Sequence, residues 1–168
     1  MRGDVVIREM RPDDWDAVRR IYEAGLATGN ASFEIDSPSS QVWDESHHRH
    51  SRLVARVGDG IAGWAALSPV SRRACYAGVA EVSLYVDTRW RGCGVGRKLL
   101  AAVIASSERE GIWSLYGSTF PENEPSLRLQ LSCGFRIVGR RERIAQHHGV
   151  WRDTVITERR SAVAGAQR

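Results

Sequence analysis

The stretch AEVSLYVDTRWRGCGVGRKLL, residues 80–100, constrains this chain more than any other. Glu81 to Val86 alternate in the manner of a strand. Gly92, Gly94 and Gly96 then follow at every second position, and Leu99, Leu100, Val103, Ile104 and Ser107 recur at helical spacing, with Gly111 as the stop. A strand that runs through glycines into a helix points successive backbone N–H groups and the positive helix end at one place, where an anion can sit. Arg91, Arg97 and Lys98 supply charge of the matching sign. An ordinary tight turn would not need three glycines.

The two commonest phosphate turns do not fit. A nucleoside-triphosphate loop needs GxxxxGK followed by Ser or Thr, and here Gly96 is followed by Arg97, Lys98 and Leu99. A dinucleotide turn belongs in the first strand–helix unit with an acidic residue ending the next strand, whereas this one lies in mid-chain with different spacing. An anionic ligand of another kind, such as a pyrophosphate, remains.

The flanking sequence predicts the order β-α-α-β-β-β-α-β-α-β-β. VVIREM opens as a strand, and a helix starts at Pro12 with Trp15, Val18, Ile21, Tyr22 and Leu26 on its buried face. A Gly, Ser, Asn and Pro segment carrying Phe33 and Glu34 leads to a short helix within SSQVWDESHHRHS, and a loop holding an aromatic often lines a site. Gly58, Asp59 and Gly60 turn a hairpin, and Asn123 caps a helix that Gly134 stops. The fold class is α/β, with a mixed, mostly antiparallel central sheet flanked by helices on both faces. With 168 residues, 42% hydrophobic, one domain over residues 1–160 and a loose tail over 161–168 are expected.

Composition narrows the setting. The net charge of +4 comes from 24 basic and 20 acidic residues interspersed along the chain, without a basic tail. Lys98 is the only lysine, and the Ala, Gly and Arg richness suggests a GC-rich bacterial genome. Cys75, Cys93 and Cys133 form no CxxC pair, which favours a reduced, cytoplasmic protein. The charged N-terminus does not suit a signal peptide, and no run of about 18 apolar residues suggests a membrane span.

RGCGVG, Arg91 to Gly96, resembles the Arg/Gln-x-x-Gly-x-Gly/Ala signature of the GNAT N-acetyltransferases, and the element order resembles that fold over nearly the whole chain. GNASFE, RACYAGVAEVSLYV, ENEPSLRLQLSCGF and HHGVWRD resemble, in order, blocks of the phosphinothricin and methionine sulfoximine acetyltransferase branch. The resemblance implies acetyl-coenzyme A as donor and a small amino-acid-like amine as acceptor, such as phosphinothricin, methionine sulfoximine or methionine sulfone. It implies that the backbone of Leu84, Tyr85 and Val86 pairs with the pantetheine arm, and that Arg91, Gly92, Cys93, Gly94, Val95, Gly96 and Arg97 take the pyrophosphate. Asn123, with Ser126 beside it, would face the cofactor channel, and Asn123, Phe33, Tyr76 and Ser83 the acceptor. Arg73 would hold the acceptor carboxylate, a task suited to a bidentate guanidinium. The resemblance also implies a homodimer formed around HHGVWRD.

Acetyl transfer to an amine needs the free base, so a group must first remove a proton from the ammonium. Glu81, a carboxylate at the start of a buried strand, is the candidate, acting through water, and the family places its catalytic glutamate there. A central-strand N–H near Leu84 or Tyr85 would receive the oxyanion. Two departures matter: Gln130 stands where relatives carry a histidine, and Val79 where they often have threonine. Glutamine cannot act as a base, so either the catalytic load shifts to Glu81 or the histidine was never essential to every member of the branch.

Other readings stay open. The acceptor could be an arsenic amino-acid analogue, a protein N-terminus or a polyamine, and GRRERI motivates a basic regulatory or nucleic-acid-binding module instead. The favoured expectation is no nucleic acid, no membrane and no metal. His47, His48 and His50, with His147 and His148, lack accompanying ligand spacing, and a structural role fits His148 better.

Overall fold

The computed structural model of the chain describes residues 4–166. Seven strands form one sheet: β1 (Val5–Glu9), β2 (Leu53–Val57), β3 (Gly60–Pro69), β4 (Val79–Val86), β5 (Ser114–Thr119), β6 (Arg136–His147) and β7 (Val150–Arg160). They lie in the order β1-β2-β3-β4-β5-β7-β6. Every neighbouring pair is antiparallel except β4 and β5. That exception follows from connectivity, because the long helix between β4 and β5 carries the chain back to the end from which it started. The expected order, sheet type and two-sided helix cover are all present.

Helices α1 (Trp15–Leu26) and α2 (Ser40–Ser46) cover one face, and α3 (Val95–Arg109) and α4 (Glu124–Ser132) the other. Strand alternation divides the core accordingly. Leu53, Ala55, Leu67 and Ala80 pack with Val95, Leu99, Leu100 and Val103 of α3, while Val54, Trp64 and Ala66 pack with Val18, Ile21, Tyr22 and Trp43. Each fully buried Leu or Val of α3 contributes about 1.5–3 kcal/mol. Gly25 sets the seat of α1, since a Cβ there would lie 2.6 Å from Tyr85 Cδ1. Only glycine lets the helix lie flat over that ring.

Two stretches of the chain take their bounds from specific contacts. The short second helix ends at Ser46, where His47 turns its ring back to stack on Trp43 at 4.3 Å and bonds the Trp43 carbonyl through Nδ1 at 2.7 Å. Residues 161–166, within the stretch expected to be loose, are held by hydrogen bonds. The Arg160 guanidinium donates to the carbonyls of Trp113, Ser161, Ala164 and Gly165, and Ser161 and Ala164 are buried. Residues 167 and 168 lie outside the described residues.

Candidate active site

Strands β4 and β5 pair only through Val79–Ser114, Ala80–Leu115 and Glu81–Tyr116. Beyond Glu81 they part, although β4 continues to Val86 and β5 to Thr119. The split leaves the β5-facing backbone of residues 82–86 without a strand partner. It opens into a cleft of about 1520 Å³, bounded by both strands, the loop after α1, the glycine turn and α4.

Alternation along β4 sorts its side chains. Val82, Leu84 and Val86 pack toward α3, and Tyr85 belongs to the cluster under α1 and α2. Glu81 and Ser83 share that second face with Tyr85 and line the cleft. Tyr85 stacks on Trp64 at 5.0 Å and meets Tyr22 edge-on at 4.8 Å. Burial raises its phenol pKa, so it serves as wall rather than acid. Glu81 is half-buried and makes no ion pair among the described residues. Burial raises its carboxyl pKa, and the charge of Arg141 pulls the other way more weakly. A carboxylate of that kind is a better base near neutrality than an exposed one.

The glycine turn is built as the sequence pattern requires, with the glycines doing different jobs. Gly92 and Gly94 take φ of +70° and +81°, in the left-handed region, and a Cβ on either would meet open space. Gly96 has ordinary φ, but a Cβ there would lie 3.1 Å from Leu129 Cδ2, so it brings the first turn of α3 against α4. No side chain caps α3 at Gly94, and the first intrahelical bond is Lys98 N–H to Gly94 O at 3.1 Å. The N–H groups of Val95, Gly96 and Arg97 are therefore left for a ligand. Arg91, Gly92, Gly94, Val95, Gly96 and Arg97 all line the cleft, while Cys93 is half-buried and turns its thiol to the Arg91 carbonyl at 3.6 Å.

The cleft carries a charge gradient. Arg91 and Arg97 line it by the glycine turn, with Arg128 of α4 paired to Glu124 at 3.2 Å, whereas Glu34, Asp36 and Glu81 line the rest, with Glu122 paired to Arg152 at 3.3 Å. One end suits an anion and the other an ammonium group.

Asn123 lines the cleft and joins two elements: its Oδ1 caps α4 at Ser126 N–H (3.4 Å), and its Nδ2 donates to Asn30 O (3.2 Å) in the loop after α1. Phe33 lines the cleft as expected and meets Phe120 edge-on at 4.8 Å, with the buried His147 ring 6.3 Å away.

Arg73 and Tyr76 do not join this site. They lie on an exposed turn, the Arg73 guanidinium 5.5 Å from the Tyr76 ring centroid, and neither lines the cleft. The segment SRRACYA between β3 and β4 has no side chain buried among the core clusters to hold it against the sheet, so its arginine settles on its own tyrosine. Two residues absent from the sequence expectations, Phe120 and Thr154, line the cleft, and a third, Arg152, braces its wall from behind. Arg152 donates to Gly29 O (3.0 Å) and Asn30 Oδ1 (3.0 Å) and lies 3.9 Å over Phe120, which pins the loop after α1 to β7. Phe120 forms a wall, and Thr154, 3% exposed, lines the cleft with a hydroxyl that has no partner among the described residues. Charge within HHGVWRD was the visible signal for Arg152; Thr154 left none.

The histidines are occupied with packing. Burial lowers the pKa of His47, His48 and His147. Among the described residues no group of three or more His, Cys, Asp or Glu is arranged to hold a metal ion. In GRRERI, Arg140 pairs with Asp153 and neighbouring Arg136 with Glu158, which neutralises part of the basic run. No helix among the described residues is long and apolar enough to cross a membrane.

A strand split lies beside a glycine turn at a helix start, and the pattern of the acetyltransferase (GNAT) family matches residues 15–135; the chain belongs to that family. GNAT enzymes use acetyl-coenzyme A. The chain is 32% identical over 163 residues to phosphinothricin N-acetyltransferase of Alcaligenes faecalis, covering 91% of this chain and 81% of that one. It is 25% identical over 153 residues to the L-methionine sulfoximine/L-methionine sulfone acetyltransferase of Pseudomonas aeruginosa, covering 88% and 89%. Among solved structures, ribosomal-protein-alanine N-acetyltransferase of Brucella melitensis superimposes with a TM-score of 0.87 at 25% identity, over 93% of this chain and 99% of that one.

Proposed function

We propose that this enzyme transfers the acetyl group of acetyl-coenzyme A to the free amine of a small amino-acid-like acceptor of the phosphinothricin or methionine sulfoximine type, with Glu81 as general base acting through water. The observation that carries the reading is the position of Glu81 at the apex of the strand split, where its raised pKa and the acidic end of the cleft meet the open backbone of β4. The names of the relatives supply the acceptor class.

In this reading the turn from Arg91 to Arg97 holds the pyrophosphate with helix-start N–H groups and guanidinium charge. The β5-facing backbone groups between Leu84 and Val86, on the side of β4 away from β3, take the pantetheine amides as a substitute strand, and a β4 N–H near Leu84 or Tyr85 receives the oxyanion. Asn123 and Ser126 border the donor. The acceptor ammonium enters between Glu34 and Glu81, walled by Phe33, Phe120 and Ser83. Glu81 accepts its proton by way of a water and frees the lone pair. Arg73 and Tyr76, turned away from the cleft, have no part in this assignment.

Ile137, Val138, Ile144, Val150 and Trp151, each about half exposed on β6 and β7, support a homodimer formed through that hairpin, checked by sedimentation. The functional reading is tested by an acceptor screen with acetyl-coenzyme A, following thiol release over phosphinothricin, methionine sulfoximine, methionine sulfone, ordinary amino acids, polyamines and peptides. Turnover confined to polyamines or peptides would refute the acceptor class.

A further inference from the structure

We propose that Gln130 is a positioning residue that aims the hydroxyl hydrogens of Ser126 and Thr119 at the sulfur leaving the acetyl donor. The departing thiolate is then received by two fixed hydrogen-bond donors rather than by a titrating side chain. The inference rests on the acetyl-transfer reading and deepens it.

Gln130 sits one helical turn after Ser126 on α4 and lines the cleft. Its amide nitrogen donates to Ser126 Oγ at 3.1 Å and to Thr119 Oγ1 at 2.9 Å, and its oxygen accepts from the Thr157 hydroxyl. A carboxamide has two N–H donors, so both are spent. Thr157 is fully buried on β7 and anchors the oxygen end. Gly117 of β5 leaves room for the amide, since a Cβ there would lie 2.5 Å from Thr157 Oγ1 and 2.6 Å from Gln130 Oε1.

A hydroxyl has one hydrogen, and an oxygen that accepts from the amide must aim that hydrogen elsewhere. Within a helix the usual outlet is a carbonyl about one turn back. Ser107 and Ser132 use it, donating to Ile104 O and Leu129 O at 2.7 Å each. Ser126 donates to no acceptor among the described residues, and neither does Thr119, which is 8% exposed. Both line the cleft beside Asn123 and Gly117, at the widening of the strand split.

The group-transfer step shows what such donors do. The free amine attacks the thioester carbon, the C–S bond breaks, and its electron pair goes to sulfur. The excess proton on nitrogen ends on sulfur, giving the amide and the thiol; the hydroxyls keep their protons. Hydrogen bonds to an ionised acceptor are about twice as strong as neutral ones, so the donors favour thiolate over thiol. A carboxamide holds them in place at any pH near neutrality, where an imidazole would titrate.

The test uses coenzyme A itself: the thiol of the bound molecule is titrated by thiolate ultraviolet absorbance in the wild type, in Gln130→Glu, and in the double variant Ser126→Ala/Thr119→Val. The wild type should hold the bound thiol about tenfold more ionised at a given pH than free coenzyme A. Both variants should return it to within about twofold of the free value and lower kcat about tenfold at little-changed KM. Gln130→Glu keeps the shape but accepts from both hydroxyls and turns their hydrogens away; the double variant removes the donors without adding charge and covers the case in which the glutamate variant fails to fold. A normal thiol in the bound wild type, or a shift that survives the double variant, overturns this proposal alone. Coenzyme A that does not bind the wild type overturns the acetyl-transfer reading together with it.

Discussion

Glu81 is the last residue of β4 to face a partner on β5: it stands opposite Tyr116, and from Val82 onward the two strands part. The carboxyl is thereby held at the edge of the sheet's interior, and burial raises its pKa. A raised folded pKa means that the folded chain binds this proton more tightly than the unfolded chain. The stabilisation is fully present below the unfolded value, about pH 4, and is lost as pH rises through the folded value. Glu81→Gln should therefore raise the urea midpoint relative to wild type at neutral pH and lose that advantage on acidification. An advantage independent of pH would show that the carboxyl is not desolvated.

Asp87 has the opposite sign. It is 3% exposed and held far below the usual carboxylate range, first by hydrogen bonds from Arg89 and then from Arg20. Its contribution is present above about pH 4 and falls away as pH drops toward the depressed folded value. Asp87→Asn should cost about 1.5–3 kcal/mol near neutrality and flatten the loss of stability on acidification, read by urea unfolding across pH.

The glycines of the turn should separate by mechanism. Gly94→Ala meets open space and suffers only backbone strain, about 1–2 kcal/mol. Gly96→Val pushes on Leu129 and displaces α4, an overpacking cost of about 1–3 kcal/mol. Calorimetric titration with coenzyme A should show weakening in both, and only Gly96→Val should also lower kcat with saturating donor and acceptor, because α4 carries Ser126 and Gln130 toward the cleft.

Arg152 ties the loop bearing Phe33 to β7 through two bonds to Gly29 and Asn30. Arg152→Met should raise the acceptor KM about tenfold while coenzyme A affinity stays within about twofold, consistent with the loss of one or two charged hydrogen bonds. Amide exchange over residues 28–34 should quicken in the same variant.

Much of this was legible in the sequence because local patterns carried it. The alternation in AEVSLYV, the glycines that follow and the apolar spacing from Leu99 to Ile104 required a strand, a glycine turn and a helix, and the split sheet displays them with Glu81 in the cleft. Arg73 and Tyr76 followed from resemblance to relatives, and here the segment that bears them packs on itself at the surface. SAVAGAQR reads as loose, yet Arg160 bonds the carbonyls of Ser161, Ala164 and Gly165, a tertiary effect without periodic signature. Gln130 was noticeable as a departure, but its grip on Ser126, Thr119 and Thr157 brings together α4, β5 and β7, and residues that far apart in the chain leave no mark on each other's spacing.

The most direct test of acetyl transfer by Glu81 is the pH–rate profile of wild type and Glu81→Gln with acetyl-coenzyme A and phosphinothricin or methionine sulfoximine as acceptor. The wild-type rate should climb through an acidic limb set by a raised carboxyl pKa. The variant should bind coenzyme A normally, run about 10²–10⁴-fold slower near neutrality and recover in part as pH rises and the amine deprotonates unaided. A variant that keeps the wild-type rate and the same acidic limb would contradict a base at Glu81.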